Sequence, residues 1–428
     1  MAPRLAEKGW NMGRSLRLLV GISPVALMAL GGHAALAQVS SPAPAATSLR
    51  GPDTAARSDV SLTVNARYDD NVPRLNDLQP NTRNLARSDV RISPALQLNV
   101  ARNLGRHQIG LAANLGYDFY ARNTLLNREH IDVAPSAYLN LPVCDLALNA
   151  LASRRLSELG EIAIIGIDPT LGTDNTETRK QFGASLICGD SYGLKPTFEY
   201  QRSVGDNSNP QRIIADYRTT RIQPGVGYSS PALGDISIYA FRVDTDLPNQ
   251  ILPTGQRSGY RQTGYGLSYA RAIGTRLRFN ASVSHVDVTP YTGGGRSGLN
   301  GSLSMTLLAS DRLQITAFAN RAFTSTLTGN STYELSEGYG ASANYAVNDR
   351  LRLHASASVA PRGFFYVITP TQAFIDKQTQ YDISAGASYQ LNPRLRLNFD
   401  TGAQRRDANP DYFDYRSFYA AIGIALSL

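Results

Sequence analysis

From Asp59 to Leu428, apolar and polar side chains alternate with a period of two. Val60, Leu62, Val64, Ala66 and Tyr68 fall on one face of such a stretch, and Ser61, Thr63, Asn65, Arg67 and Asp69 fall on the other. The division recurs at Ile109, Leu111, Ala113, Leu115, Tyr117 and Phe119 against Gln108, Gly110, Ala112, Asn114, Gly116, Asp118 and Tyr120. It recurs again at Phe418, Ala420, Ile422, Ile424, Leu426 and Leu428 against Ser417, Tyr419, Ala421, Gly423, Ala425 and Ser427. Successive side chains of an extended strand point to opposite faces, so each stretch predicts a strand with one apolar and one polar or small face. About eighteen such segments, each near the ten residues that a tilted membrane strand needs, fill the chain.

Their connections alternate in length. Short ones, such as 102–106, 142–145, 189–192, 348–349 and 392–393, carry the Asn, Asp, Gly and Pro of tight turns. Long ones include 70–86, 156–176, 246–257 and 405–414. In hydrocarbon a sheet with a free edge would leave amides unpaired, so a sheet of this kind must close. The pattern predicts an all-β protein, a transmembrane antiparallel β-barrel of about 18 strands over residues 59–428. An even count places both termini on the short-turn side, which is periplasmic in barrels of the outer membrane. A soluble sandwich also alternates, but it seldom sustains strands of this length through so many repeats.

One phrase recurs straight after turns: Thr275-Arg276-Leu277-Arg278-Phe279, Asp311-Arg312-Leu313-Gln314-Ile315, Asp349-Arg350-Leu351-Arg352-Leu353 and Pro393-Arg394-Leu395-Arg396-Leu397. Its spacing of about 36 to 44 residues is that of a hairpin array. Ahead of the array, Arg14 and Arg17 precede an apolar run from Leu18 to Leu30, and Ala35-Leu36-Ala37 before Gln38 has the small residues of a cleavage site. Residues 1–37 therefore predict a secretory signal peptide, for which Met12 is a more conventional start than Met1. Residues 38–58, rich in Ala, Pro, Ser and Thr, predict a flexible periplasmic lead-in.

Composition adds little. A content of 36 Gly and 22 Tyr against 1 Trp and 4 Met suits a barrel. No stretch of about 18 uncharged apolar residues follows the signal, so no transmembrane helix is predicted. Signal and barrel together predict the outer membrane of a Gram-negative bacterium, with its lipid and lipopolysaccharide as surroundings. The net charge of +8 fits basic loops or an acidic partner, and no nucleic-acid partner is expected.

Candidate chemistry is sparse. Arg276, Arg278, Arg312, Arg350, Arg352, Arg394 and Arg396 alternate with outward leucine-type residues, which predicts an arc of positive charge lining the lumen above the short turns. The alternative is that they pair with inward acids such as Asp382, Asp400 and Glu334. Cys144 opens the fifth strand and Cys188 ends the sixth, both on the outward face, so an oxidising compartment predicts a cross-strand disulfide. Tyr228, Tyr269, Tyr345 and Tyr389 sit on the apolar face shortly before short turns, which predicts an aromatic girdle at the headgroup boundary. Phe364-Phe365-Tyr366 and Tyr412-Phe413-Asp414-Tyr415 read as an upper girdle in preference to a sugar-stacking surface. Ser284 and His285 are adjacent on one strand and face opposite ways, so they cannot act as nucleophile and base. Gly293-Gly294-Gly295 lacks the lysine and following helix of a phosphate cradle. No enzymatic activity, cofactor or metal is predicted.

With its signal peptide, plugless length, strand count and turn-Arg-Leu-Arg-Leu hairpins, the chain resembles outer-membrane β-barrel porins often encoded with exopolysaccharide biosynthesis and export genes. The resemblance implies a passive conduit for exopolysaccharide secretion, supplied by a periplasmic polysaccharide-export partner, and it brings no catalytic motif. The arginine arc would favour an anionic polymer or solute. Two alternatives stay open. A general or anion-selective small-solute porin would be favoured by a constricting loop, for which segment 156–176 with Glu158, Glu161, Asp168 and Asp174 is the candidate. A non-conducting surface adhesion barrel would be favoured by inward aromatics such as Tyr239 and Phe241 filling the lumen.

Overall fold

The computed structural model describes residues 56–76, 84–157, 159, 174–210, 212–251, 255–324, 331–366 and 375–428. The signal-peptide and lead-in residues up to 55 lie outside the described residues, as do Glu158, Glu161 and Asp168 of the candidate constricting loop. The strands are β1 (Arg57–Asp69), β2 (Asp89–Leu104), β3 (His107–Tyr120), β4 (Arg128–Asn140), β5 (Cys144–Leu156) and β6 (Thr176–Cys188). They continue with β7 (Gly193–Asn207), β8 (Tyr217–Ser230), β9 (Gly234–Ile251), β10 (Arg257–Ile273), β11 (Leu277–Pro290) and β12 (Arg296–Leu308). The last six are β13 (Leu313–Thr324), β14 (Tyr333–Ala346), β15 (Leu351–Phe365), β16 (Lys377–Gln390), β17 (Leu395–Asn409) and β18 (Tyr415–Ser427). Each pairs antiparallel with its neighbours in sequence, and β18 returns to pair with β1, so the 18-stranded sheet closes.

The outward face follows from register. Leu351, Tyr389, Leu397 and Ile424 lie in one row across β15–β18, and every neighbour above and below them is set by the same ladders. Large apolar side chains on this face are exposed, among them Ile422 at 59 % and Ile383 at 61 %. Exposed apolar area on this scale is stable only against lipid. On β17 the apolar face runs from Leu395 to Ala403. That is about 27 Å along the strand and about 20 Å along the membrane normal at the usual tilt, close to the belt height of such barrels. Above it the outward face becomes ionic, with Arg154–Glu129 at 2.6 Å, Arg242–Asp244 at 2.7 Å, Arg321–Glu337 at 3.5 Å and Arg405–Asp407 at 2.6 Å.

Three strand boundaries differ from the sequence reading. The connections expected to begin at 246 and 405 open as strand, because β9 runs on to Ile251 and β17 to Asn409. The ladders continue past the lipid band into water, where ion-paired side chains replace apolar ones. β1 likewise starts at Arg57, two residues before the predicted boundary. Short turns place glycines where a left-handed backbone is needed, as at Gly189 with φ +110° and Gly274 with φ +59°.

Candidate functional site: the barrel interior

The interior side chains divide into three zones. The first is an apolar cluster toward the long-loop end. Tyr239, Phe241 and Val243 of β9, Tyr260 of β10, and Val286 and Val288 of β11 point inward and are buried. They pack on Phe323, Tyr333, Leu335 and Phe365, which by parity belong to the outward face of β13–β15, since exposed Tyr339 and Tyr345 share the phase of Tyr333. The ring centroids of Tyr260 and Tyr333 are 5.7 Å apart, and Tyr333 stacks on Phe365 at 4.9 Å. Such contact requires the tips of β13–β15 to fold over β12 and lay their outer face on the inner wall of β9–β11.

The hydrogen bonds confirm the fold-over. The β12–β13 ladder reaches only Gly301 opposite Arg321. Beyond it the Phe323 amide donates to Asn300 Oδ1 at 3.1 Å, and Gln262 Nε2 donates to the Phe323 carbonyl at 3.0 Å. Glycines make room for the rings along the wall. A Cβ on Gly264 would lie 2.7 Å from Phe241 Cζ, and one on Gly298 would lie 2.8 Å from Phe323 Cε2.

Other connections also turn inward. Val72, Leu85, Leu126 and Leu159 form one cluster, and Phe364, Ile375 and Phe413 form another. This corrects the reading of the long-loop aromatics as a girdle. Phe364, Phe413 and Tyr415 are buried and Phe365 stacks on Tyr333, whereas Tyr412 is exposed. Outside the spanning strands, burial together with a hydrogen bond to Asp246 pushes the Tyr291 phenol up to about 12. Burial also raises the Asp216 carboxyl, although Asn207 and Asn249 donate to it.

The second zone is a ladder of paired charges on the inner face of β1–β4 and β15–β18. Arg74 returns from the first connection to bond Asp69 at 2.9 Å and Ser417 Oγ at 2.9 Å. The Arg67 guanidinium lies over the Tyr419 ring at 3.7 Å. Asp118 is approached by Arg91 at 3.5 Å and His130 at 3.4 Å, and accepts from Ser93 Oγ. His354 and Asp400 meet at 2.7 Å across Gly386, whose missing side chain leaves the gap they occupy. Arg67 was legible as inward from the alternation. Arg74 was not, because it lies in a connection whose path no period records.

The third zone is the short-turn half. Arg278, Thr306, Thr316, Ser342, Ser356 and Ser384 lie in one inward row, with Ser356 and Ser384 hydroxyls 2.7 Å apart. The structure divides the predicted arginine arc. Arg276, Arg312, Arg350 and Arg394 stand in exposed turns, one residue before β11, β13, β15 and β17 begin. Arg278, Arg352 and Arg396 lie within strands on the inward face, with Arg278 four strands from Arg352. Arg352 and Arg396 are close enough to repel one another, and Arg396 Nε has no hydrogen-bond partner. Neither has a carboxylate within ion-pair reach among the described residues. Of the inward acids, Asp400 is held by His354, Asp382 accepts from Gln380 at 3.1 Å, and Glu334 accepts from Thr324 at 3.4 Å.

On the outer face Tyr228, Tyr345 and Tyr389 are exposed, and Tyr269 is half-buried beside Phe279 at 6.0 Å. Cys144 and Cys188 are register partners at the base of β5–β6 and are joined by a disulfide. Ser284 is buried inside while His285 faces out beside Tyr265 and Asp287.

A closed antiparallel 18-stranded barrel with an exposed apolar belt and a polar-lined interior is a transmembrane barrel of porin architecture, the kind that resides in the outer membrane of Gram-negative bacteria. No protein-family model and no curated protein matches the chain. Similar solved structures are outer-membrane proteins. The outer membrane protein opdK of Pseudomonas aeruginosa has 12% identity and a TM-score of 0.44, covering 87% of this chain and 99% of that one. OccK2 (OpdF) of the same organism, solved in complex with glucuronate, has 12% identity and a TM-score of 0.43, covering 87% and 98%. OccAB3 of Acinetobacter baumannii has 12% identity and a TM-score of 0.42, covering 87% and 99%. Likeness at this level says nothing of what this chain carries.

Proposed function

We propose that the protein is an outer-membrane diffusion channel for small solutes, with a preference for anions. The observation that carries this reading is the packing of Tyr333 and Phe365 on the inner wall at Tyr260. A barrel of 16–18 strands leaves an aqueous channel unless segments fold into it. Here the hairpin tips narrow the long-loop half, and the short-turn half presents hydroxyls together with Arg352 and Arg396, which have no acidic partner among the described residues. A polymer conduit would need a lumen clear along its whole length, so the small-solute alternative fits better than exopolysaccharide export. Tyr239 and Phe241 do point inward, as an adhesion barrel would have them, but they cover one sector of wall while β1–β4 and β15–β18 present charge and hydroxyls.

In this reading both termini are periplasmic, the tyrosines near the short turns form the girdle, and lipid and lipopolysaccharide surround the band. Diffusion requires no periplasmic export partner. Planar-bilayer recording of the refolded barrel across a salt gradient tests the proposal. An anion-preferring reversal potential, with a uronic-acid monosaccharide admitted and its polymer excluded, is the expected result. Cation preference, or no current from a folded barrel, contradicts it.

A further inference from the structure

The outer wall of β14–β18 carries an apolar groove of about 730 Å³, within the range of about 300–1,000 Å³ of pockets that hold drug-sized ligands. Ala341, Ala357 and Ala403 form its floor, and Tyr339, Tyr381 and Phe418 stand around it. All six share the outward phase of the exposed apolar residues on their strands. The row that begins with Tyr339 continues through Val359 and Tyr381 to Arg405 and Arg416. The groove therefore ends in two arginines at the border between lipid band and ionic rim.

Arg405 and Arg416 are directly opposite one another across β17 and β18. Like charges in that relation destabilise a sheet unless a counter-charge lies between them. Arg405 is paired with Asp407 at 2.6 Å. Asp70, beside the groove, accepts the Phe418 amide on Oδ1 at 2.7 Å. The exposed Arg416 guanidinium has no side-chain partner among the described residues. An apolar slot headed by a guanidinium with no ion-pair partner among the described residues is complementary to a lipid with an acyl chain below and a phosphate above.

We propose that this groove binds the lipid A part of lipopolysaccharide, with an acyl chain over Ala357 and Ala403 and a phosphate at Arg416 and Arg405. The source follows from height. The arginines lie on the long-loop side, which is the outer leaflet in the orientation given under Proposed function, and this clause rests on that orientation. A second copy of the chain fits less well. Barrels side by side in one membrane keep their grooves level, so a two-fold contact would set each Arg405–Arg416 pair against its copy.

The test is titration of the full chain, purified in detergent, with lipid A, fully dephosphorylated lipid A and phosphatidylglycerol, read by native mass spectrometry. Lipid A is expected to bind about tenfold more tightly than its dephosphorylated form, the effect of one charge-assisted phosphate contact, and more tightly than phosphatidylglycerol, whose phosphodiester brings a single negative charge to the two guanidiniums where a phosphomonoester brings about −1.5 to −2. Replacing both Arg405→Ser and Arg416→Ser should remove that preference. Ala403→Trp, which fills the groove, should weaken lipid A binding by a similar factor. Gel mobility before and after heating shows whether each variant is folded, and Ala357→Phe fills the same groove from β15 should Ala403→Trp fail to fold. Equal affinity for lipid A and phosphatidylglycerol overturns the proposal. So does unchanged lipid A affinity in the arginine and groove-filling variants, or a dimer that Ala403→Trp dissociates. Binding in detergent needs no current, so a silent barrel would defeat the channel reading and leave this one standing.

Discussion

The two halves of the barrel interior are built from the same alternating strands, yet they differ in kind. The short-turn half has rows of hydroxyls and three inward arginines, Arg278, Arg352 and Arg396, without acidic partners among the described residues. The long-loop half has stacked aromatics, buried connections and charges that are mostly paired. Within the lipid band every amide must pair in the wall and every outward residue must be apolar, so parity alone says what a side chain touches. Past the band that constraint lapses. Tyr345 and Tyr333 have the same parity on β14, but Tyr345 faces lipid at 42% exposure and Tyr333 is buried in the lumen at 3%. Alternation therefore sets a residue's face, and the path of the strand sets its surroundings.

The largest effect on stability should come from the short-turn end, where the wall is covalently tied. The Cys144–Cys188 bond closes a separation of 44 residues, and loop-closure entropy puts its loss at about 4 kcal/mol. Replacing both cysteines with Ser should lower the urea midpoint of unfolding. An unchanged midpoint would mean that the strand ladder alone already supplies that constraint.

Tyr333→Ala should cost about 3 kcal/mol through the cavity left beside Tyr260 and Phe365, and should raise single-channel conductance. Tyr345→Ala, on the same strand and face, removes only a lipid-facing ring and should leave conductance unchanged. Equal effects from the two would erase the distinction between the halves. Gly264→Val is expected to cost about 1–3 kcal/mol, because even its Cβ would collide with the His285 carbonyl and lie 2.7 Å from the Phe241 ring. Gly301→Val, where the nearest atom is 3.3 Å away, should fold nearly normally in the same heat-mobility assay.

The smallest effect concerns charge. At about 8 Å in water a unit charge changes an ion's energy by about 0.5 kcal/mol, so two arginines bias the throat about fivefold at low salt. The double change Arg352→Ser and Arg396→Ser should reduce anion preference by about that factor, and the difference should shrink as salt rises. Selectivity that ignores these residues would place the filter among the paired charges of the long-loop half.

The barrel was legible because membrane strands obey period two through the whole band, and turn residues punctuate them at Gly189, Gly274 and Asn392-Pro393. The strand ends were less legible. Asp246, Arg405 and Asp407 read as loop residues, since polarity on an outward face resembles a connection once lipid no longer selects for apolar side chains. The interior was legible in part. Arg352 and Arg396 followed from alternation, whereas Arg276, Arg312, Arg350 and Arg394 fell in turns because each strand begins at the next leucine. The packing of Phe323, Tyr333 and Phe365 inside the lumen could not be read, since their parity pointed outward and only the early end of the β12–β13 ladder reverses that assignment.

The most direct test of a lumen wide at its short-turn end and narrow at its long-loop end is conductance in the presence of neutral polyethylene glycols of graded size, added to one side of the bilayer at a time. Polymers added on the short-turn side should enter and depress the current up to a larger size than those added on the loop side. Equal size limits from both sides would contradict the account.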